Sequence, residues 1–275
     1  MRQKGYNVSI ISRESKGSNS YTWKQIQSDG IPAGIDAVVQ IPGANILQKR
    51  WTDARKKEIL DSRVGLTNLL VNAINTKPNK PKVVVCASAV GVYPLNESTT
   101  FDESFNPQKE PNNFAGQVCY RWEHTLDNLD PSVRKVITRF GIVLGKDGGA
   151  LKEMLLPFKF GLGGPIGSGS QYWPWVHIDD VVGIITQAIN NPQMEGVYNA
   201  VAPEIVTNQQ FVQAIGKALH RPTILPVPEF AINLMFGESA YMLTQGQKVA
   251  PTRTLESGYQ FQHPKIEEAM QSVLQ

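Results

Sequence analysis

The chain has 275 residues, 41% hydrophobic and 19% charged, with a net charge of +3. This is the balance of a globular protein able to bury a sizeable core, and a slight basic excess gives no nucleic-acid-binding face. Its 23 glycines and 18 prolines are too few for a fibrous chain, and two cysteines exclude a disulfide scaffold or a four-cysteine zinc site. No apolar run reaches the roughly 18 residues that cross a bilayer. The first residues, MRQKGYNVSIISR, hold too short an apolar stretch for a signal peptide. A cytoplasmic or organellar protein is expected, with no membrane and no nucleic acid among its partners; an oligomer stays open.

In chain order, buried strands are expected at Val8 to Ile11, Ala37 to Ile41, Val83 to Ala87 and Val136 to Leu144, each rich in Val or Ile and bounded by polar residues. Helical spacing runs from Asp53 to Asn75 and from Phe114 to Leu129. Strands alternating with helices predict a parallel sheet covered on both faces. Gly161 to Gly169 reads GLGGPIGSG; with Gln171, Trp173 and Trp175 it is expected to line the substrate side, because glycine lets backbone approach a ligand closely. Trp175-Val176-His177-Ile178-Asp179-Asp180 leads into a helix reaching Asn190, with either aspartate a natural N-cap. Further helices are expected over Asn208 to Leu219, near Phe230 to Phe236 and from Ile266, with a loop at Gln247-Lys248-Val249.

In dinucleotide-binding units a residue ending the second strand reads the adenosine ribose: an acid selects NAD, a basic residue NADP. Ser12 and Arg13 close the Val8 to Ile11 run, and arginine pairs bidentately with phosphate. On Ser-Arg alone, a solvated loop arginine is the ordinary reading. No G-x-G-x-x-G occurs in the chain. The usual spacing of about 20 residues would put that turn before Met1. A shortfall of roughly 18 to 20 residues is therefore expected. The strand, turn and half-helix it removes would lie at the sheet centre and leave two neighbours with open edges. An alternative start, a splice form or a shortened gene model would each produce it.

Other constellations are excluded. There is no G-x-S-x-G elbow for a serine hydrolase. Gly141-Ile142-Val143-Leu144-Gly145-Lys146 has the wrong spacing for a P-loop, and Asp147 stands where that motif needs Ser or Thr. His177 with Asp179 and Asp180 reads as a strand-to-helix element, and no metal is expected. Arg50 to Lys57 reads as a solvated basic face. Cys119 reads as a small buried helix residue.

Taken together, Ser12-Arg13, Asp36-Ala37-Val38-Val39, Gly43-Ala44-Asn45-Ile46, Arg50-Trp51, Ser62-Arg63, Ser88-Ala89-Val90-Gly91-Val92-Tyr93, Trp122-Glu123, Arg139-Phe140-Gly141, Trp175 to Asp180 and Gly246-Gln247-Lys248-Val249 resemble the extended short-chain dehydrogenase/reductases, and within them the epimerase-like subgroup 39U. The resemblance implies an α/β, doubly wound Rossmann-type sheet over residues 1–150, with its first strand missing. It implies a substrate-side region and small C-terminal α/β domain over residues 151–275, with residues 173–200 returning to the first core. It also implies NADP(H) as cofactor. Ser12 and Arg13 would take the 2′-phosphate, Ile41 and Pro42 the turn after the next strand, and Glu58, Arg63 and Val143 would match further contacts. For Glu58 and Arg63 a solvated helix face is the alternative. Pro42 removes a backbone donor.

The family's catalytic Ser, Tyr and Lys are incomplete here. Ser88 is the hydroxyl candidate, although Ala89 also fits the position. In the register anchored on Trp122-Glu123, Ala115 stands at the Tyr position and Cys119 at the Lys position. Tyr93 is the substitute acid/base candidate, and Tyr120 with His124 a second; packing with a satisfied hydroxyl is the alternative for both tyrosines. The expected function is an NADP-dependent oxidoreductase or nucleotide-sugar epimerase-like protein with a small or nucleotide-linked substrate. The alternative is an inactive NADP sensor or scaffold.

Overall fold

The computed structural model describes every residue except Ser15, Lys16, Ser18, Asp147 and Gln275, so the exclusion resting on Asp147 lies outside the described residues. The strands are β1 Ile10–Ser12, β2 Ser20–Thr22, β3 Ala37–Gln40, β4 Val83–Ala89, β5 Thr100–Phe101, β6 Arg134–Phe140, β7 Ile142–Leu144, β8 Trp175–His177, β9 Gly196–Ala200 and β10 Lys248–Val249. The helices are α1 Trp23–Asp29, α2 Asp53–Leu60, α3 Leu66–Asn75, α4 Phe114–His124, α5 Gly149–Lys159, α6 Ile178–Asn190, α7 Asn208–Leu219, α8 Glu229–Phe236, α9 Tyr241–Thr244, α10 Thr252–Glu256 and α11 Ile266–Leu274.

The central sheet is parallel, in the order β3-β4-β6-β9. Alternation along β4 decides its two faces. Val84 and Cys86 pack with Ile26, Leu70, Ile74, Trp122 and Leu126 from the α1, α3 and α4 side. Val83 and Val85 pack with Val181, Ile185 and Ala188 of α6 on the opposite face. The result is the expected α/β layering, with helices on both faces of a parallel sheet. β1 and β2 form a separate parallel pair. Among the described residues β1 pairs only with β2, and β3 only with β4.

The expected helix from Asp53 to Asn75 is present but interrupted: a π-helical turn over Asp61–Gly65 joins α2 to α3. Such insertions into a helix are frequent at functional sites. The apolar run from Val136 to Leu144 is two strands, not one. Gly141 breaks it, because β6 ends beside β9 while Ile142 N–H turns to donate to Pro174 C=O at 2.7 Å. β7 then pairs with β8. A methyl on Gly141 would stand 2.6 Å from the Pro174 carbonyl oxygen.

A second core gathers Leu144, Leu151, Phe158, Trp173, Trp175, Phe211, Ile215, Met270 and Val273 from α5, α7, α11 and the β7–β8 pair. The chain crosses between the cores at β8, where Trp175 faces the second and Val176 the first. Trp173 and Trp175 are therefore core residues. The GLGGPIGSG loop lies against its own chain rather than against open space: Val227 N–H donates to Pro165 C=O at 2.7 Å, and Gly167 N–H to Val227 C=O at 2.9 Å. A Cβ on Gly164 would fall 1.7 Å from the Leu225 carbonyl oxygen. Gly164→Ala is expected to lower the unfolding free energy by about 2–3 kcal/mol through this overpacking. Urea unfolding measures it, and a midpoint equal to that of the parent chain refutes it.

The basic stretch from Arg50 to Lys57 is not simply a solvated face. Arg50 donates to the carbonyls of Leu234 and Met235 in α8. Lys56 pairs with Glu238 at 2.6 Å. Arg55 is buried, bonding Asn45 C=O and pairing with Glu58. This segment ties the first core to the second. Among the described residues no helix is long and apolar enough to cross a membrane.

Candidate functional site

In a parallel sheet every strand ends on the same edge, and ligands of such folds bind outside those carboxyl ends. At that edge β4, β6 and β9 are in register, with Ser88 beside Arg139 and Arg139 beside Asn199. Their side chains form one buried polar network. Ser88 Oγ donates to Glu123 Oε1 at 2.6 Å. Arg139 clasps both oxygens of Glu123 in a bidentate pair, at 2.9 and 2.8 Å. Its remaining terminal nitrogen donates to the Tyr93 hydroxyl at 3.1 Å. Tyr93 O–H in turn donates to Asn199 Oδ1 at 2.8 Å.

The electrostatics follow from burial. Desolvation by itself would lower the Arg139 pKa, but its hydrogen bonds to Glu123 and the carboxylate charge outweigh that and raise it. Burial raises the Tyr93 phenol to about 12, against the opposing pull of the Arg139 guanidinium. Tyr93 is thus a neutral hydroxyl clamped inside the fold. The structure joins the two catalytic candidates, Ser88 and Tyr93, through Glu123 and Arg139. Residue types alone did not single out Glu123, Arg139 or Asn199 for this role. A signal existed for the first pair: an acid on a helix and an arginine near the end of a central strand must be paired if both are buried.

Ala115 and Cys119, expected at the family's Tyr and Lys positions, are both buried. Burial, then the Glu123 charge, pushes the Cys119 thiol up to about 12. It is the small buried residue expected. The rings of Tyr120 and His124 lie 4.0 Å apart on α4.

Of the residues expected to meet the cofactor, Ser12, Arg13, Ile41, Pro42 and Arg63 occupy the ends of β1 and β3 and the π-helical turn. Arg13 is exposed immediately beyond β1. Ser12 Oγ donates to Glu14 C=O. Ile41, directly after β3, is 63% exposed, an apolar side chain left open at the end of an edge strand of the central sheet. Pro42 is half-buried beside it. The π-helical turn reaches this loop from the other side. Ala44 N–H donates to Ser62 Oγ at 3.0 Å, and Arg63 Nη1 donates to Ala44 C=O at 3.0 Å. A Cβ on Gly43 would lie 2.7 Å from the Arg63 guanidinium carbon. Burial lowers the Arg63 pKa, and its guanidinium also stands over the Trp122 ring. Glu58 is apart from this group, paired with Arg55 at 2.6 Å. Val143 lies in β7, in register with Val176.

His177 is the N-cap of α6, the place expected for an aspartate. Its Nδ1 accepts from Asp179 N–H at 3.1 Å. Asp180 is buried and accepts from Tyr259 O–H at 2.9 Å, Gln262 N–H at 2.7 Å and His263 N–H at 3.1 Å. Its carboxylate is committed to the C-terminal tail and so does not serve as the cap.

Comparison with known proteins agrees with this architecture. Residues 1–201 match the model of the NAD dependent epimerase/dehydratase family, and residues 227–273 match a domain of unknown function, DUF1731. The mouse epimerase family protein SDR39U1 is 40% identical over 277 residues, spanning 100% of this chain and 93% of the relative. The crystal structure of human epimerase family protein SDR39U1 (isoform2) with NADPH superposes with a TM-score of 0.94 at 39% identity, covering 99% of this chain and 92% of the other. The UDP-glucose 4-epimerase of Thermotoga maritima, solved with UDP-glucose, shares the fold at a TM-score of 0.75 and 16% identity, with 99% and 91% coverage. The chain therefore belongs to the NAD dependent epimerase/dehydratase family, in the branch of the SDR39U1 epimerase family proteins.

Proposed function

We propose that this chain binds NADP(H) at the carboxyl ends of its parallel strands and acts as an epimerase-like oxidoreductase on a small or nucleotide-linked substrate. The observation that carries this reading is Arg13, an exposed cation immediately beyond β1, where a basic residue selects the 2′-phosphate. The human relative solved with NADPH supports it. Ser12 and Arg13 would hold the phosphate; Ile41, Pro42, Glu58, Arg63 and Val143 are the further contacts this reading assigns. The residues fit such a ligand in two respects. The exposed Ile41 offers an apolar face to a ribose or base, and the Gly43 turn is already braced by Arg63. When bound, a nicotinamide cofactor supplies hydride transfer.

Titrating NADPH by fluorescence tests the reading. Saturable binding is expected. Arg13→Ala should weaken NADPH by about tenfold to a hundredfold, the worth of one charged hydrogen-bonded contact, and leave NADH unchanged. Absence of binding at millimolar NADPH, or an equal loss for both cofactors, refutes it.

Ala115 and Cys119 at the Tyr and Lys positions favour a second reading, in which the fold senses NADP without turnover. Metabolite turnover followed at the NADPH absorbance, and abolished by Ser88→Ala or Tyr93→Phe, rules this second reading out.

A further inference from the structure

β8 ends on His177, which is 3% exposed and held by the β7 pairing on one side and the α6 cap on the other. One residue into α6, Asp179 projects an exposed carboxylate whose Oδ2 lies 3.6 Å from His177 Nδ1. The third member comes from the far end of the chain. Gln262 N–H and His263 N–H are both pinned by Asp180. That pinning lays the His263 ring over His177, with centroids 3.7 Å apart and planes inclined by 34°. His263 Nε2 lies 3.8 Å from the same Asp179 oxygen. One donor atom from each of the three side chains falls within 4.8 Å of the others.

We propose that His177, Asp179 and His263 bind a divalent transition-metal ion of the zinc class. Two imidazoles and one carboxylate are the donor set that such ions prefer, whereas Mg²⁺ and Ca²⁺ take oxygen ligands. Bonds of about 2.0–2.1 Å in tetrahedral geometry place donors about 3.3 Å apart. The two carboxylate–imidazole distances of 3.6 and 3.8 Å exceed this by a few tenths of an ångström, and the Asp179 side chain is exposed. Two effects oppose binding. The His177 lone pair must pass from the Asp179 amide to the ion, and the α6 N-terminus repels a cation. The Asp179 and Asp180 carboxylates in the first turn offset the second effect.

Bound metal would latch the segment after Gly258 onto α6, so the ion should stabilise the folded chain by mass action. Titration of the full chain with ZnCl₂ by calorimetry, without nucleotide, is the test, and its result does not depend on the cofactor reading. One Zn²⁺ per chain is expected, with a thermal midpoint that rises with zinc concentration. His263→Gln and Asp179→Asn should each weaken binding by at least about tenfold. The double variant His124→Gln/His220→Gln removes the other two histidines, both exposed, and should bind as the parent chain does. No saturable binding up to about millimolar zinc, or His263→Gln binding equal to that of the parent, overturns the proposal.

Discussion

Replacing Glu123 by alanine is expected to lower the unfolding free energy by about 3–5 kcal/mol. Glu123 receives both arms of Arg139 and the Ser88 hydroxyl in a place where neither charge meets water. A buried ion pair contributes little net stability, because desolvation cancels much of the attraction. Removing one partner is different: the desolvation of Arg139 remains and its compensation is gone. Glu123→Gln keeps one acceptor and should lose less. The double variant Glu123→Leu/Arg139→Met removes both charges and should also lose less than Glu123→Ala. Chemical denaturation of the three variants decides the matter. A loss below about 1 kcal/mol for Glu123→Ala, the scale of an exposed pair, would show that water reaches the network.

Asp180→Ala should cost a similar amount, about 3–5 kcal/mol, by a different route. Its carboxylate satisfies two backbone N–H groups and the Tyr259 hydroxyl at once. Burial, followed by the Asp180 hydrogen bond and charge, raises the Tyr259 pKa, so the phenol stays a donor. Alanine strands three donors and frees the tail around Gln262. Asparagine does not rescue it fully, because its amide nitrogen would face an N–H donor. The expected signature is local: faster hydrogen exchange and easier proteolysis from Gly258 onward, together with the lower midpoint. An unchanged exchange pattern in that segment would mean that the apolar contacts of α11 with α7 dock the tail without Asp180.

Much of the molecule is legible in residue order. Val83 to Ala89 alternates between two cores, and a run of that kind flanked by helical spacing admits few arrangements besides a covered parallel strand. α7 and α11 begin at the expected residues, Asn208 and Ile266, because caps and apolar spacing are local signals. Arg13 stands out as a cofactor candidate because it follows the end of a strand directly. The limits are equally physical. Gly141 sits inside a Val- and Ile-rich run from Val136 to Leu144, and only the change of pairing partner from β9 to β8 makes it a break. The GLGGPIGSG glycines admit close approach by any partner; the fold supplies the chain's own backbone at Leu225.

Local propensity and periodicity thus determined most of the elements and the covered parallel sheet, because each of those signals is complete within a few turns of chain; the family rests instead on motifs spread from Ser12 to Val249. Tertiary structure alone decided which side chains meet: Glu123 with Arg139 at the floor of the site, Asp180 with the tail, and His263 against His177. Such pairs form when separate elements pack, and their residue types are then selected by burial and desolvation at the contact. Neither leaves a periodic trace in the residues on either side.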